Sequence, residues 1–147
     1  MERTVQEIGL SIKRLQVRHH RALDTALAPL GISLVQWDAL RHLDEHPSAS
    51  LHDLAVLTFQ SDPAFGTLAN RMVERGLIER VNGAGRAVRH RITAKGRKVL
   101  KAAYAVVDGV LARSFSGLSA EQIQTLGELI ATVLRSEMPM ARTPHSY

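Results

Sequence analysis

The sequence predicts a mainly α-helical fold with one small β-hairpin. Apolar residues recur at three- and four-residue steps through most of the 147-residue chain, as they do along one face of a helix. After Gly76 this pattern gives way to two short β-like runs around a turn that contains two glycines. Cysteine is absent, so neither disulfides nor thiolate metal sites can hold the fold together. A chain of this length and ordinary hydrophobic content is expected to form one compact architecture.

The first helix is predicted from apolar residues that recur between Ile8 and Leu27, and Pro29 and Gly31 close it. The opposite side of this helix is basic and is expected to face the solvent. The apolar side needs a packing partner, which is either the C-terminal helices or a second subunit.

Serine residues mark the starts of the second and third helices. Ser33 is a good N-cap for a helix over 34–45, because its hydroxyl can accept a hydrogen bond from an amide of the first turn. Ser50 and Asp53 have the spacing of a capping box and begin a short helix over 51–58.

The fourth helix is predicted over 62–75. Pro63 is favoured at a helix start, where its missing N–H is no loss, and Gly76 is expected to end the helix. Two short helices separated by a few residues, behind a capped helix, have the spacing of a helix-turn-helix.

A hairpin is predicted directly after it, with strands at 77–81 and 87–92 around a turn at 82–85. The side chains of the second strand alternate between two faces: one carries Val88, His90 and Ile92, and the other carries Ala87, Arg89 and Arg91. We expect His90 to pack under the hairpin. A hairpin in this place is a wing, so the lobe is predicted to be a winged helix-turn-helix.

Two further helices complete the prediction. Thr93 can cap the fifth, which carries two apolar stripes, more than one packing partner requires. Ser119 and Gln122 form a capping box for the sixth, and Met138-Pro139 marks its end. The stripes of the fifth helix are Val99, Ala103, Val106 and Val110 on one side and Leu100, Val107 and Leu111 on the other.

The positive charge of the chain is concentrated in one stretch. Residues 75–101 hold nine Lys/Arg against one Asp/Glu, whereas the segments before and after hold slightly more acid than base. Such a stretch is typical of a surface that binds a polyanion. A solvated charged face is the other interpretation, but such faces usually mix both signs.

The fourth helix and the hairpin are the predicted DNA-binding surface. The polar face of the helix carries Thr67, Asn70 and Arg71, whose side chains can hydrogen-bond to base edges in the major groove. The alternative interpretation is that these residues form the ordinary polar face of a surface helix. Arg86, at the end of the turn, is placed to reach a narrow minor groove, and the other basic residues to reach phosphates. The candidate contacts are Ser61, Pro63, Ala64, Thr67, Asn70, Arg71, Arg86, Arg89, Arg91 and Lys95.

Four segments carry a family resemblance that covers nearly the whole chain. They are residues 31–37 (GISLVQW), 54–55 (LA), 68–80 (LANRMVERGLIER) and 92–96 (ITAKG). Together and in this order they resemble the multiple-antibiotic-resistance regulator (MarR) family of bacterial transcription factors. One departure is that Ala84 stands where the family's wing usually has an aspartate, two residues before Arg86.

The resemblance implies a homodimer on a pseudo-palindromic operator, where it regulates transcription, commonly as a repressor that a small ligand releases. It also implies dimerisation helices at 1–31 and 94–138 beside the winged lobe at 32–93. The sequence after Met138 predicts a flexible tail at 139–147. The family's usual ligand position would involve Leu15, His19, Trp37 and Arg41.

Other classes of function fit parts of the sequence less well. His42 and His46, one helical turn apart, suggest a metal-sensing regulator, but the sequence shows no acidic ligand cluster with them. A winged module could instead bind an acidic protein partner. No phosphate loop or nucleophile motif is present, so we expect no catalytic residues, enzyme activity or cofactor. No run approaches the roughly 18 apolar residues of a membrane span. We therefore expect a cytoplasmic protein without a membrane partner.

Overall fold

A computed structural model describes residues 1–81 and 87–139, and it confirms the mainly helical fold with one hairpin. Residues 1–112 form one compact unit, and a second unit begins at Arg113. The helices are α1 (Val5–Leu27), a short 3-10 turn (Ala28–Leu30), α2 (Leu34–Glu45), α3 (Leu51–Leu57), α4 (Asp62–Glu74), α5 (Ala94–Ser114) and α6 (Ala120–Leu134), and the strands are β1 (Ile78–Val81) and β2 (Arg89–Ile92).

Serine caps set the helix starts, as predicted. The Ser33 hydroxyl accepts from the Gln36 amide at 3.2 Å at the start of α2. The Ser50 hydroxyl accepts from the Asp53 amide at 3.1 Å at the start of α3. These contacts satisfy amides that have no partner inside the helix.

The turn between α3 and α4 is tight. Phe59 has a φ of 58° and is 97% exposed, and the Gln60 amide donates to the Ala55 carbonyl at 2.9 Å. A non-glycine residue with positive φ is uncommon, and here it allows α4 to begin three residues later. The two helices thus have the predicted helix-turn-helix arrangement.

Gly76 ends α4 as predicted, with a φ of 71°. Its amide donates to the Val73 carbonyl at 2.9 Å, and the next amide, that of Leu77, reaches the Met72 carbonyl at 3.0 Å. This pair of hydrogen bonds is a Schellman motif, which closes the helix and directs the chain into β1.

The two strands pair antiparallel, with Ile78 opposite Ile92 and Arg80 opposite His90. Within β2, His90 and Ile92 are buried while Arg89 and Arg91 are exposed, which confirms the predicted alternation. Val88 was expected on the buried face, but it lies just before β2 and is 49% exposed. The turn at 82–85 and Arg86 lie outside the described residues.

Gly96 lets α5 lie against the start of β1. A Cβ there would lie 1.9 Å from the Leu77 carbonyl oxygen. Thr93 caps this helix as predicted, since its hydroxyl accepts from the Gly96 amide at 3.0 Å.

The core of the first unit joins α1, α2, α3, α4, the hairpin and α5. It contains buried Leu23, Leu27, Ile32, Ala39, Leu40, Leu43, Ala49, Leu54, Ala55, Phe65, Ala69, Met72, Leu77, Ile78, Ile92, Leu100, Ala103 and Val107. Val99, Val106, Val110 and Leu111 of the two predicted stripes on α5 are only partly buried.

In the second unit, α6 has no buried residue. It ends at Leu134, with Arg135 as the C-cap, and not at the predicted Met138-Pro139. Within the described residues, no helix combines the length and apolar character needed to cross a membrane.

Candidate nucleic-acid interface

The exposed face of α4 is fixed by its buried face. Phe65, Ala69 and Met72 are each at most 2% exposed and hold the helix against the core. Their spacing of three and four residues turns the remaining residues outward. All six residues predicted to contact DNA at this helix are exposed: Ser61, Pro63, Ala64, Thr67, Asn70 and Arg71.

Two hydroxyls at the start of α4 already have intramolecular partners. Ser61 is the N-cap, and its oxygen accepts from the Ala64 amide at 3.2 Å. The Thr67 hydroxyl donates to the Pro63 carbonyl at 3.1 Å. Each oxygen can still accept a further hydrogen bond from a base or donor group.

Asn70 is linked to the hairpin. The Arg80 guanidinium on β1 donates to the Asn70 side-chain oxygen. Since guanidinium has no acceptor, the Asn70 amide nitrogen is left pointing elsewhere with two donors available. The residue predicted to read a base is therefore oriented by an arginine predicted to contact phosphate.

The basic residues around the hairpin also have partners within the chain. Arg91 Nε lies 2.7 Å from Glu79 Oε1, and Arg89 donates to the Ser48 carbonyl. Lys95 Nζ donates to the Arg75 carbonyl at 2.8 Å, where a positive charge suits the C-terminal end of α4. The three side chains lie on the exposed surface, but each is positioned by a contact that the sequence did not reveal.

An ion pair at the start of α4 was not predicted. His52 Nδ1 on α3 lies 2.8 Å from Asp62 Oδ1, the first residue of α4. The hydrogen bond to Asp62 and the charge of that carboxylate raise the pKa of His52. The pair joins the two helices of the helix-turn-helix. Its residues are ten positions apart in the sequence, which is not the spacing of neighbours on one helix, so the sequence pattern did not predict it.

Comparison with known proteins identifies the family. Residues 30–87 match the MarR family model. The chain is 32% identical over 117 residues to the HTH-type transcriptional repressor Rv2887 of Mycobacterium tuberculosis, a match that covers 78% of this chain and 84% of the relative. This chain belongs to the MarR family. It is a transcriptional regulator of that family, whose members are regulators and not enzymes.

Solved MarR family structures agree with the fold. Rv2887 in complex with salicylic acid superposes with a TM-score of 0.72 at 25% identity, covering 90% of this chain and 97% of that one. Wild-type MarR from E. coli superposes with a TM-score of 0.78 at 21% identity, and the match covers 91% of this chain and 99% of that one. A mutant of the E. coli protein complexed with operator DNA superposes with a TM-score of 0.79 at 22% identity. That match covers 86% of this chain and 93% of the other.

Two of the four ligand residues expected for a MarR family regulator are brought together. The Arg41 guanidinium lies 5.5 Å from the centre of the Trp37 ring. Burial lowers the pKa of Arg41, but the hydrogen bond to Asp38 and the charges of Asp38 and Glu45 outweigh it and leave the pKa above its usual value. Leu15 is 38% exposed on α1, and His19 is half-buried on the same helix.

The histidine pair on α2 has an acidic neighbour that the sequence pattern did not reveal. His42, Glu45 and His46 have potential ligand atoms within 4.8 Å of one another. However, the Arg41 guanidinium already hydrogen-bonds to His42 Nε2 at 3.0 Å and to Glu45 Oε1 at 3.1 Å. A cation thus already neutralises this cluster.

Proposed function

We propose that this MarR family regulator is a repressor that binds a pseudo-palindromic double-stranded DNA operator as a homodimer. The observation that carries the proposal is the exposed polar face of α4 beside the basic stretch of residues 75–101. A helix held by its apolar face and flanked by arginines matches the geometry with which winged helix-turn-helix proteins enter a major groove.

The proposed contacts divide into two kinds. Asn70, Arg71 and Thr67 face base edges, where an asparagine amide suits adenine and a guanidinium suits guanine. Contacts with phosphates supply affinity without sequence information. The side chains proposed to make them are Arg89, Arg91 and Lys95. Arg86 is the proposed minor-groove contact. Ser61, Pro63 and Ala64 lie at the start of α4, where the helix dipole favours a phosphate.

Exposed apolar residues support the homodimer. Ile8, Leu10 and Ile12 on α1 are between 47% and 58% exposed, and Ile130 and Val133 on α6 are 48% and 65% exposed. Large apolar side chains grouped on a helix in this way usually mark a contact surface. We therefore assign dimerisation to the helices within 1–31 and 94–138, and the winged helix-turn-helix lobe to 32–93.

We further propose that a small molecule releases the operator. The relative Rv2887 has been solved with salicylic acid and with p-aminosalicylic acid. The Trp37 ring suits the aromatic part of such an acid, and the Arg41 guanidinium near it, which is paired with Asp38 and Glu45, keeps further N–H donors for the carboxylate.

Selection of bound fragments from randomised duplex DNA tests the proposal. The enriched sequence should contain two half-sites about 34 Å apart, because a two-fold symmetric reader requires that spacing. Binding to this duplex and to a scrambled one is then measured at two salt concentrations. Salt-sensitive binding with no enriched sequence would contradict specific recognition, and no binding to either duplex would favour a module for an acidic protein partner.

A further inference from the structure

His52 and Asp62 stand at the starts of the two helices of the helix-turn-helix. His52 is the second residue of α3, and Asp62 is the first residue of α4. Their side chains are 63% and 55% exposed. In a helix-turn-helix bound to DNA, the second helix enters the major groove by its N-terminal end, and the first helix crosses the phosphate backbone. The proposed function therefore brings both side chains close to phosphates.

Asp62 has the same sign of charge as the DNA that this surface is proposed to bind. Its carboxylate suits the positive end of the α4 dipole, which explains its place in the fold. A phosphate that approaches the same helix start is repelled by that carboxylate. In the structure His52 lies against it, with Nδ1 at 2.8 Å from Asp62 Oδ1 and at 3.0 Å from Oδ2. A protonated His52 leaves the pair without net charge.

The geometry of the pair leaves the far side of the His52 ring available. Nδ1 faces the carboxylate, and within residues 1–81 and 87–139 no hydrogen bond or ion pair of this ring is made through Nε2. Both nitrogens of a protonated imidazole are donors. Nδ1–H can therefore stay on Asp62 while Nε2–H donates to a phosphate oxygen. Hydrogen bonds between two charged groups are about twice as strong as those between neutral ones.

Three other ionisable groups lie near this pair. Asp53 follows His52 on α3, and its carboxylate is held in the capping box of that helix. The charge of Arg89 on the hairpin acts on Asp53, and His46 at the end of α2 lines the same surface pocket as His52 and Asp53. The hydrogen bond and charge of Asp62, with a smaller effect of Asp53, raise the pKa of His52. The ring therefore stays protonated up to a higher pH than an ordinary histidine.

We propose that His52 is a further DNA contact, whose protonated ring donates from Nε2 to a phosphate oxygen while Asp62 orients it. This contact rests on the proposed function and extends it to α3, on which no other DNA contact is proposed. Because every duplex has phosphates, the contact adds affinity for all sequences alike. In a homodimer it is made twice, once by each copy of the chain.

The contact makes DNA binding depend on pH. Phosphodiesters stay negative throughout the neutral range, so His52 is the group of this contact that gains or loses a proton. When the ring loses its proton, the Asp62 carboxylate is left uncompensated beside the phosphates. DNA therefore favours the protonated ring, and by reciprocity bound DNA raises the pKa of His52 further. Affinity is highest below the pKa of His52 in the free protein and falls as pH rises through the higher pKa of the complex.

Fluorescence anisotropy tests the contact with the full chain on the selected and the scrambled duplex, in a pH series at constant salt. Between the two ends of the series the parent chain should lose affinity by at least about five-fold, the lower limit of a typical coupling. His52→Gln keeps a polar side chain that does not titrate, so it should bind more weakly at low pH and lose most of this pH dependence. It should fold, because His52 is exposed. His46→Gln, which removes another exposed histidine, should keep the pH dependence of the parent.

Asp62→Asn separates an electrostatic role from a structural one. If the pair were merely structural, breaking it would weaken DNA binding. Above the pKa of His52 this variant should instead bind more tightly than the parent, because it lacks a carboxylate that repels phosphates. In ¹⁵N NMR the His52 ring, identified by its loss in His52→Gln, should titrate at a higher pH when duplex is added.

The results that would overturn this contact differ from those that would contradict the proposed function. Equal pH dependence of the parent and His52→Gln would overturn the contact. A pKa of His52 that duplex leaves unchanged, or weaker binding of Asp62→Asn above that pKa, would do the same. If the parent binds no duplex at any pH, the proposed function fails and the contact fails with it. Equal affinity for the two duplexes contradicts specific recognition alone, because the pH series on either duplex still tests the phosphate contact.

Discussion

The Arg80 guanidinium donates a hydrogen bond to the side-chain oxygen of Asn70. This contact joins the wing to the helix proposed to read the bases. It also determines which end of the Asn70 amide remains available, because guanidinium can only donate. The amide nitrogen of Asn70 is then free to donate to adenine N7, and its oxygen keeps a second lone pair to accept from adenine N6.

Asn70→Ala should weaken binding to the selected operator by about 1–3 kcal/mol, the usual value of one good base contact. Binding to a scrambled duplex should not change, since the proposed phosphate contacts remain. Fluorescence anisotropy on both duplexes measures this difference.

Arg89→Ala provides the comparison. It should weaken binding to both duplexes alike, because the loss of a phosphate contact carries no sequence information. If Asn70→Ala weakens both duplexes equally, Asn70 does not read a base.

Arg86→Ala should weaken binding to all duplexes by about 1–3 kcal/mol. The reason is the attraction of a guanidinium to the negative potential of a narrow minor groove. Arg14→Ala removes the same charge from an exposed position on α1 and should have much less effect. Equal affinities for the Arg86 variant and the parent chain would remove the wing tip from the proposed interface.

Helix ends could be predicted from the sequence because they depend on local contacts. The caps at Ser33 and Ser50 join residues three apart, and Gly76 ends α4 through its own φ. The end of α6 was less well predicted, since no buried residue on this helix marks where it must stop.

The partners of the candidate site residues could not be predicted in the same way. Arg89 reaches a carbonyl 41 residues earlier in the chain, and His52 meets Asp62 across a turn. Such contacts depend on how the elements pack, and a period of 3.6 or 2 residues carries no information about them. The sequence therefore indicated which residues are basic and exposed, but not what orients them.

Gly96→Ala should destabilise the fold by about 1–3 kcal/mol or more, because overpacking forces the backbone to move. The added Cβ would lie 1.9 Å from the Leu77 carbonyl oxygen, which belongs to the main chain and cannot rotate away. Urea unfolding followed by circular dichroism measures the change.

Gly109→Ala on the same helix is the matched control. Apart from its chain neighbours and the backbone of its own helix, no atom of the described residues lies within 4 Å of its added Cβ. It should stabilise α5 by about 0.5–1 kcal/mol through helix propensity. Equal effects of the two variants would show that the close approach at Leu77 does not constrain the fold.

Ile130→Glu should shift the protein from dimer to monomer. Ile130 is 48% exposed on α6, so a charge there costs little within one chain but much in an apolar interface. Sedimentation equilibrium at micromolar concentration distinguishes the two states. Thr125→Glu, a charge at another exposed position of α6, should leave the dimer intact. A parent chain that sediments as a monomer would refute the homodimer.

The ion pair between His52 and Asp62 should make stability depend on pH. The hydrogen bond and charge of Asp62 raise the pKa of His52 in the folded chain. A group whose pKa rises on folding stabilises the fold below its unfolded pKa, and this stabilisation is lost as pH rises through the folded pKa. The pair should therefore contribute fully below the ordinary pKa of histidine and lose its contribution as pH rises through the raised pKa of His52. Titration of the His52 ring by NMR should show the raised pKa, and Asp62→Asn should bring it back towards the ordinary value. Asp108→Asn, a carboxylate on the exposed side of α5, should leave it unchanged. If His52 titrates alike in the parent chain and in Asp62→Asn, the two helices are not joined by this pair in solution.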